Sequence, residues 1–254
     1  MTDTHSIADR FQHHAQLTRD DRRLLTDLET NMQEFPAGSL LDQTGADGRP
    51  VFYSLKKGWA CAIHGLAGGQ RQILDIYLPG EIMGLRDLNR DRSTAGIRAL
   101  TDICACVFSE TTLFQVFESS PALSKLFFIE LLHRHTLLTG RIVDIGRRPA
   151  IERIAHFLLE MKIRLRSPEN HFEFPLTQAL LADVLSMSPV HVSRMFARLR
   201  ERGLVEMTES RVVIGNLAGL IELAGFEPDY LASVNFERAG RAAPVALKPV
   251  DADR

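Results

Sequence analysis

The sequence feature that most constrains the fold is a stretch in the last third of the chain, FPLTQALLADVLSMSPVHVSRMFARLRERGLV. It holds two short helical patterns only a few residues apart. Thr177 can cap the first helix and Ser188 the second, because their side-chain oxygens can accept from N–H groups that the first helical turn leaves unpaired. Pro189 suits the first helical position, and Gly203 suits the end. The pattern predicts a helix-turn-helix whose second helix runs from Pro189 to Arg202.

The second helix of this pair is expected to bury one face and expose the other. Its apolar residues recur at the three- and four-residue spacing that places side chains on one side of a helix. These inward residues are Val192, Met195, Phe196 and Leu199. Beyond the helix, the run LVEMTESRVVIGN has two apolar ends around a polar centre, which predicts a β-hairpin. A hairpin in this place forms the wing of a winged helix.

Charge is distributed unevenly along the chain. The net charge is −2, but residues 188–211 hold five arginines and three glutamates. Such a cluster is often only a solvated helix face. Beside a helix-turn-helix it favours double-stranded DNA as the partner, because arginine contacts with phosphates supply most non-specific affinity. Arg194 and Arg211 are therefore candidate DNA contacts.

Composition excludes several other classes of protein. The 254 residues are 45% hydrophobic and 24% charged, which is ordinary for a soluble domain. No apolar run approaches the roughly 18 residues that span a bilayer, and MTDTHSIADR does not resemble a secretion signal. We therefore expect a cytoplasmic protein without a membrane partner. The sequence shows no nucleophile elbow, metal-spaced histidine set or phosphate-cradling glycine loop, so no enzyme is predicted.

Short apolar runs broken by glycine fill the region from about Phe35 to Phe108 and predict an all-β barrel or sandwich. Three cysteines, Cys61, Cys104 and Cys106, give no disulfide framework. The Cys-x-Cys pair falls within a predicted strand and is read as half-buried core.

A long helical pattern begins at Pro121. Its residues alternate three and four apart in the heptad seam of a coiled coil, formed by Phe128, Leu131, His135, Leu138, Ile142 and Ile145. Two protomers can pair along this seam, whereas the alternative is a helix packed only on its own β domain. The neighbouring apolar residues Leu126, Phe127 and Ile129 indicate that the helix does both. From Gly146 to Pro149 the pattern breaks, which predicts a hinge.

The order of helix, β-roll, long helix and winged helix resembles that of the CRP/FNR family of bacterial transcription regulators. The stretches RRPAIERIAHFLLEM and SPVHVSR carry the resemblance most closely. It implies an α+β fold with a cyclic-nucleotide-binding-like β-roll, a dimerisation helix and a winged helix-turn-helix. The expected divisions are an N-terminal arm (1–17), a β-roll domain with flanking helices (18–120), a dimerisation helix (121–146), a winged helix (147–225) and a flexible tail (226–254).

The resemblance also implies partners. A family member is expected to form a homodimer, to read a two-fold symmetric operator with one recognition helix per half-site, and to contact RNA polymerase. Thr177 and Gln178 match phosphate-contacting positions of the first helix. Ser188 and His191 match phosphate or base-edge contacts, and Arg194 matches the arginine that grips a guanine.

Two positions depart from the family pattern. Well-known members carry a glutamate a few residues before the guanine-reading arginine, but this chain has Val190 there. Pro189 likewise replaces a polar contact. We expect a half-site of different sequence, in which Val190 contacts a thymine methyl group.

The sensing half resembles a cyclic-nucleotide site only loosely. Glu81 is matched to the glutamate that binds ribose, Arg92 and Ser93 to the pair that binds the cyclic phosphate, and Thr139 to a residue that reaches the purine. The spacing departs by about a residue, and acidic neighbours in the loop disfavour a phosphate. We favour the alternative that these residues only close the roll.

Other cofactors of the family fit less well. The oxygen-sensing branch holds an iron–sulfur cluster on N-terminal cysteines, and this chain has no cysteine before Cys61. The haem-binding branch has Cys-x-His after the corresponding turn, where this chain has Gly84, Leu85 and Arg86. We therefore assign neither cluster nor haem, and no metal site.

Overall fold

The computed structural model of the chain describes residues 5–88, 95–208 and 210–227. The predicted phosphate pair, Arg92 and Ser93, and nearly all of the predicted tail lie outside this described part. The fold is α+β, with a β-roll, a long helix and a winged helix in the predicted order. Within these ranges, no helix is long and apolar enough to cross a membrane.

Two short helices, α1 (Ile7–Phe11) and α2 (Arg19–Leu28), precede the roll. The second begins at its predicted cap, Thr18. The first corrects the prediction of an N-terminal arm, which rested on polar composition. It forms because its apolar side chains are buried, and the ring of Phe11 packs edge-on against Phe127 with centroids 5.0 Å apart. This contact attaches α1 to the long helix that contains Phe127.

Eight strands build the described part of the roll. They are β1 (Met32–Phe35), β2 (Leu40–Leu41), β3 (Val51–Lys57), β4 (Ala60–Gly65), β5 (Arg71–Tyr77), β6 (Ile82–Met83), β7 (Gly96–Ala99) and β8 (Ile103–Ser109). Two antiparallel sheets result, in the orders β1–β8–β3–β6 and β2–β7–β4–β5. Gly58 joins β3 to β4 with a φ of +83°, and a Cβ there would lie 2.3 Å from the carbonyl oxygen of Asp102. Only glycine fits this turn.

Helices α3 (Glu110–Ser119) and α4 (Pro121–Arg147) follow the roll. Ser120 caps the second of them, and Pro121 occupies its first position. Helix α4 ends within the stretch from Gly146 to Pro149 that was predicted as a hinge. Gly146 is still helical, and the backbone is extended at Arg148 and Pro149. Proline favours this extended conformation in the residue before it, which explains where the helix ends.

The described part of the winged helix contains six helices and strands of the predicted pattern and one strand that was not predicted. The elements are α5 (Ala150–Arg164), β9 (His171–Glu173), α6 (Gln178–Leu185), α7 (Pro189–Glu201), β10 (Val205–Met207), β11 (Arg211–Ile214) and α8 (Leu217–Ala224). The wing hairpin, β10 with β11, is confirmed. The missed strand is β9, which lies in a segment read as a polar loop; it pairs with β11 because Phe172 is buried opposite Val212.

The roll and the winged helix share one apolar core. The ring of Trp59, in the roll, packs edge-on against the ring of Phe174 with centroids 6.2 Å apart. Phe157 of α5 packs against the ring of Phe174 as well. Buried residues of β5 join this cluster, including Ile73 and Ile76. The helix-turn-helix is therefore held in a defined position against the roll.

Candidate nucleic-acid interface and effector region

The two helices of the helix-turn-helix begin at their predicted caps. The Thr177 hydroxyl accepts from the N–H of Leu180 at 3.2 Å, and the Ser188 hydroxyl accepts from the N–H of His191 at 3.2 Å. Between the helices, Ser186 adopts the left-handed conformation with φ 52° and ψ 53°. Because each start is fixed by a side-chain cap, the exposed N-terminus of α7 is held in one geometry.

The recognition helix α7 has the two faces that the sequence predicted. Its four inward apolar residues are buried. Val190 is 64% exposed near the start of the helix, and Arg194 and Arg198 are exposed along the same helix. No carboxylate of the described residues forms an ion pair with either arginine. These guanidinium groups are therefore available to an outside partner.

One cleft brings together the start of α6, the exposed side of α7 and the wing. Its lining includes Thr177, Gln178, Ser193, Arg200 and Thr208. Thr177 and Gln178 were predicted as contacts, whereas Ser193 and Arg200 were not. Their positions on α7 are seven residues apart, so they fall on one side of the helix, and this periodicity was a usable signal.

A second cleft lies on the other side of the α7 N-terminus. Ser188 and His191 line it together with Gln70 and Arg71, which belong to the β4–β5 hairpin and its loop. The side chain of Arg71 lies 2.6 Å from the carboxylate of Asp183 on α6. The roll thus contacts the helix-turn-helix directly beside two predicted DNA-contacting residues.

The wing carries one further predicted contact. Arg211 is exposed at the start of β11, and its Nε lies 4.0 Å from the carboxylate of Glu173. Both side chains are half or more exposed, so the pair is weak and screened by salt. Arg211 can exchange this partner for a phosphate at little cost.

In the predicted effector region, Glu81 is only 2% exposed and lies among cations of other elements. Its carboxylate accepts from the N–H of Leu78 at 2.9 Å and lies 2.8 Å from Arg134 and 2.9 Å from Arg164. Burial by itself raises the pKa of Glu81, but Arg134, Arg164 and Arg10 outweigh it and hold the pKa well below its usual range. A ribose hydroxyl at Glu81 would have to compete with these ion pairs.

The ion pairs of Glu81 continue into a buried network between β5, α4 and α5. Arg134 also contacts Asp75 at 3.1 Å and Glu130 at 3.2 Å. Arg141 and Arg164 both contact Glu160, each at 3.0 Å. Removing one member of such a network leaves an uncompensated buried charge, so the network favours a single arrangement of roll and winged helix.

The structure does not bring Thr139 together with Glu81. Thr139 is exposed on α4, where its hydroxyl donates to the carbonyl of His135. It lines a cleft with Asp144 and His156, whereas Glu81 lines a separate cleft beside the N-terminal helix. The matched effector residues that the structure describes therefore do not share one cavity.

The predicted seam lies on the side of α4 that faces away from the roll. Phe128 is 54% exposed and Ile142 is 70% exposed, and His135 is exposed between them. The remaining seam residues are half-buried. An apolar stripe of this kind on a helix whose other face is buried marks an interaction surface.

The cysteines lie in the roll as structural residues. Cys106 is buried and Cys104 half-buried on β8, which confirms the prediction for the Cys-x-Cys pair, and Cys61 is buried on β4. Burial raises the pKa of the Cys61 thiol to about 12, which disfavours the thiolate that metal ligation requires. Among the residues that the structure describes, no group of three or more His, Cys, Asp or Glu is arranged to hold a metal ion.

Comparison with known protein families assigns a domain to each half of the chain. The family model of the cyclic nucleotide-binding domain matches residues 32–120, and that of the Crp-like helix-turn-helix domain matches residues 152–223. The first region coincides with the roll and α3. The second covers most of α5 and continues to α8.

Curated relatives and solved structures agree with this division. Transcriptional activator protein FnrL of Cereibacter sphaeroides is 25% identical over 229 residues, 86% of this chain and 91% of that protein. Nitrogen fixation regulation protein FixK of Bradyrhizobium diazoefficiens is 26% identical over 176 residues, 68% of this chain and 73% of that protein. The structure of FixK2 from Bradyrhizobium japonicum aligns with a TM-score of 0.70 and 21% identity, covering 78% of this chain and 98% of that one.

Proposed function

Because the chain belongs to the CRP/FNR family of transcription regulators, we propose that it binds a two-fold symmetric operator as a homodimer, with α7 of each protomer in the major groove. The observation that carries this proposal is the exposed face of α7. Val190 and Arg194 are exposed one turn apart on it, and no carboxylate of the described residues pairs with Arg194. Helix-turn-helix proteins present the start of the second helix to base edges in this way.

Base recognition rests on two residues of α7. Arg194 can donate two parallel hydrogen bonds to O6 and N7 of a guanine, a geometry that a planar guanidinium fits. Val190 carries no hydrogen-bonding group, but its exposed methyl groups can contact the C5-methyl of a thymine. Pro189, which has no N–H to donate, occupies the first position of the helix. The operator half-site therefore combines one guanine contact with an apolar contact.

Phosphate contacts surround this base-reading face. Thr177 and Gln178 lie at the start of α6, and Ser188 and His191 lie at the start of α7, where helix N-termini favour phosphate groups. Arg211 extends the surface from the wing. Such contacts position the protein on DNA and make its affinity depend on salt.

Dimerisation rests on the exposed seam of α4. Phe128 and Ile142 leave large apolar side chains in solvent on the face that α4 turns away from the roll. A second copy of α4 covers this stripe by heptad packing. Paired protomers place their recognition helices about one DNA turn apart, roughly 34–36 Å, which fits a two-fold symmetric operator. His135 lies exposed within the seam and is a polar residue that fixes its register.

Location and further partners follow from this role. A regulator that binds chromosomal DNA acts in the bacterial cytoplasm and affects transcription through RNA polymerase. Relatives of this chain are named transcriptional activators. We assign the chain no enzymatic activity and no membrane partner.

Selection of bound sequences from a random double-stranded DNA pool tests the proposal. We expect the full chain to enrich a two-fold symmetric motif with half-sites 10–10.5 base pairs apart, centre to centre. Anisotropy titration of this motif and of a single half-site then measures the contribution of dimerisation. Enrichment of a motif without symmetry, or equal affinity for the half-site, contradicts binding as a dimer.

A second candidate function is a small-ligand receptor, in which a ligand in the roll gates DNA binding. The observation that favours it is the contact between roll and helix-turn-helix. Besides the pair of Arg71 with Asp183, the Gln72 side chain accepts from the Ser186 hydroxyl at 2.9 Å and donates to the carbonyl of Asp183 at 2.7 Å. A change in the position of β5 is transmitted to α6 through these bonds.

Cyclic nucleotides test this second candidate. Glu81 is engaged in ion pairs and does not share a cavity with Thr139. We therefore expect calorimetric titration with cyclic AMP and cyclic GMP to give no saturable heat. Saturable binding of either nucleotide that also changes operator affinity establishes the receptor function and assigns Glu81, Arg92, Ser93 and Thr139 for mutagenesis.

A further inference from the structure

Two clefts lie side by side where the N-terminal helix, the roll and the end of α5 meet. One has a volume of about 150 Å³ and the other of about 230 Å³. Arg10, Arg164 and Arg166 line both of them. The smaller cleft is also lined by His14, Glu81, His133 and Ile163. Three guanidinium groups thus surround a space that is large enough for a small molecule.

The carboxylates near these clefts already have partners, and two of them pair with arginines that line the clefts. Glu130 receives two hydrogen bonds from Arg10, at 2.7 and 3.0 Å. Glu81 is shared between Arg164 and the buried Arg134. The remaining carboxylate of the larger cleft, Asp9, belongs to the capping box of α1, where it accepts from the Ser6 hydroxyl at 2.7 Å. Arg10 and Arg164 are therefore paired with carboxylates, whereas Arg166 forms no ion pair with a carboxylate of the described residues.

Arg166 is the cation that remains. No carboxylate of the described residues forms an ion pair with it, and its Nη1 contacts the ring Nε2 of His13 instead. Burial lowers the pKa of Arg166, the charge of Arg10 lowers it further, and the carboxylate of Glu81 opposes both effects in part. Two like charges that face one cleft repel each other, and an anion between them relieves this repulsion.

Two buried polar atoms at the clefts have no hydrogen-bond partner in the described structure. The Arg164 side chain is 3% exposed, yet its Nε makes no hydrogen bond. The Nδ1 atom of His14 is likewise buried without a partner. Buried polar atoms in native proteins are nearly always paired, so each such atom indicates a missing partner. Arg164 and His14 both line the smaller cleft.

We propose that these clefts form a binding site for a small oxyanion, the phosphoryl or carboxylate group of a small metabolite, held by Arg166 together with Arg10 and Arg164. Guanidinium groups bind such oxygens through short, charge-assisted pairs of hydrogen bonds. The ligand would contact α1, α4 and the end of α5 at once, and so stabilise the winged helix on the roll. The clefts are separate from those that the DNA-binding helices line, but Glu81, the residue matched to a ribose contact, belongs to the wall of the smaller one.

Calorimetric titration of the full chain at constant ionic strength tests the site, with inorganic phosphate in one series and succinate in another. We expect saturable binding of one ligand per chain in at least one series, and the series that responds identifies the phosphoryl or the carboxylate group. Arg166→Gln removes the charge and leaves a shorter, neutral polar side chain, and should weaken binding about tenfold or more. Arg22→Gln makes the same charge change on the exposed face of α2 and should leave binding unchanged.

Arg166→Lys separates charge from shape. It should bind the responding anion more tightly than Arg166→Gln, because the ammonium restores the cation without the guanidinium fork. Circular dichroism of each variant checks that it folds; Arg166 is exposed, so we expect all of them to do so. Absence of saturable binding in both series, or equal binding by wild type and Arg166→Gln, overturns the proposal. Equal binding by the Lys and Gln variants also overturns it.

Discussion

Arg164, the last residue of α5, donates to the carboxylate of Glu81 in the roll, with 2.9 Å between Nη2 and Oε2. The guanidinium also donates to the backbone carbonyl of Ile76 in β5. Since α5 is the first helix of the winged helix, these bonds attach the winged helix to the roll at a buried point. Breaking them should loosen the two halves without touching the DNA-binding surface.

Glu81→Gln tests the strength of this attachment. The change removes the charge that compensates Arg134 and Arg164, and breaking a buried pair costs roughly 3–5 kcal/mol. The native pKa of Glu81 is held below its ordinary value of 4.5, so its stabilisation is fully present above that pH and is lost as the pH falls. Denaturant unfolding should show the large difference from wild type at pH 7 and a smaller one below pH 4.5.

The control for this experiment is Glu34→Gln, which alters an exposed carboxylate on β1. We expect a change of at most a few tenths of a kcal/mol at any pH. If Glu81→Gln unfolds with the same free energy as this control, the ion pairs of Glu81 do not stabilise the fold.

His133 should control stability in a different pH window. Burial lowers its pKa to about 4 from the ordinary 6.5; nearby Glu130 opposes this effect, whereas Arg134, Arg10 and Arg164 add to it. Between these two pH values the unfolded chain binds a proton that the native protein does not, so stability falls as the pH falls. The free energy of unfolding of His133→Asn should therefore depend less on pH than that of wild type. The difference between pH 6.5 and pH 4 should be smaller by about 2–3 kcal/mol. An unchanged slope contradicts the assignment.

The helix-turn-helix was predictable because its determinants are local. Thr177 and Ser188 cap helices within three residues of their own positions, and the inward face of α7 follows from a fixed helical period. Asn216 and Gly225 bound the last helix in the same way. Local patterns of this kind predict an element without knowledge of its tertiary contacts.

The buried network was not predictable because its partners are distant in sequence. Glu81 and Arg164 are separated by 83 positions, and Arg10 and Glu130 by 120. Helix α1 was missed for the same reason: its five residues are too short to form a helix alone, and the contact of Phe11 with the long helix stabilises it. The polar composition of residues 1–17 therefore did not predict that α1 packs on the long helix.

Arg194→Ala measures direct recognition of the operator. Loss of a bidentate guanine contact should cost about 1–3 kcal/mol and relax the preference for guanine at one position of each half-site. Arg22→Ala, which makes the same charge change on α2, should bind as wild type does. Anisotropy titration against the selected operator and its guanine-substituted variants checks both. Equal affinity and equal base preference of wild type and Arg194→Ala would refute the readout.

Arg211→Ala measures a phosphate contact by a different signature. Such a contact carries no base information, so the variant should weaken binding about equally for all sequences. The slope of log affinity against log salt concentration should fall by about one, because one fewer counterion is released. The measurement is DNA binding between 50 and 200 mM salt, which distinguishes this result from the loss of base preference expected for Arg194→Ala. An unchanged slope would show that Arg211 does not contact the DNA backbone.

Ile142→Lys tests the seam of α4, because a charge at the most exposed apolar seam residue must be desolvated when two copies pair. Ile142 is 70% exposed, so the substitution should not disturb the folded protomer. In a dimer, two lysines would face each other across the axis, and their repulsion and desolvation should shift the chain to monomers in sedimentation equilibrium. Operator affinity should then fall to that of a single half-site. Met32→Lys, at a residue 59% exposed on β1, is the matched control and should remain dimeric. If Ile142→Lys also remains dimeric and binds the operator fully, the subunits do not pair along this seam.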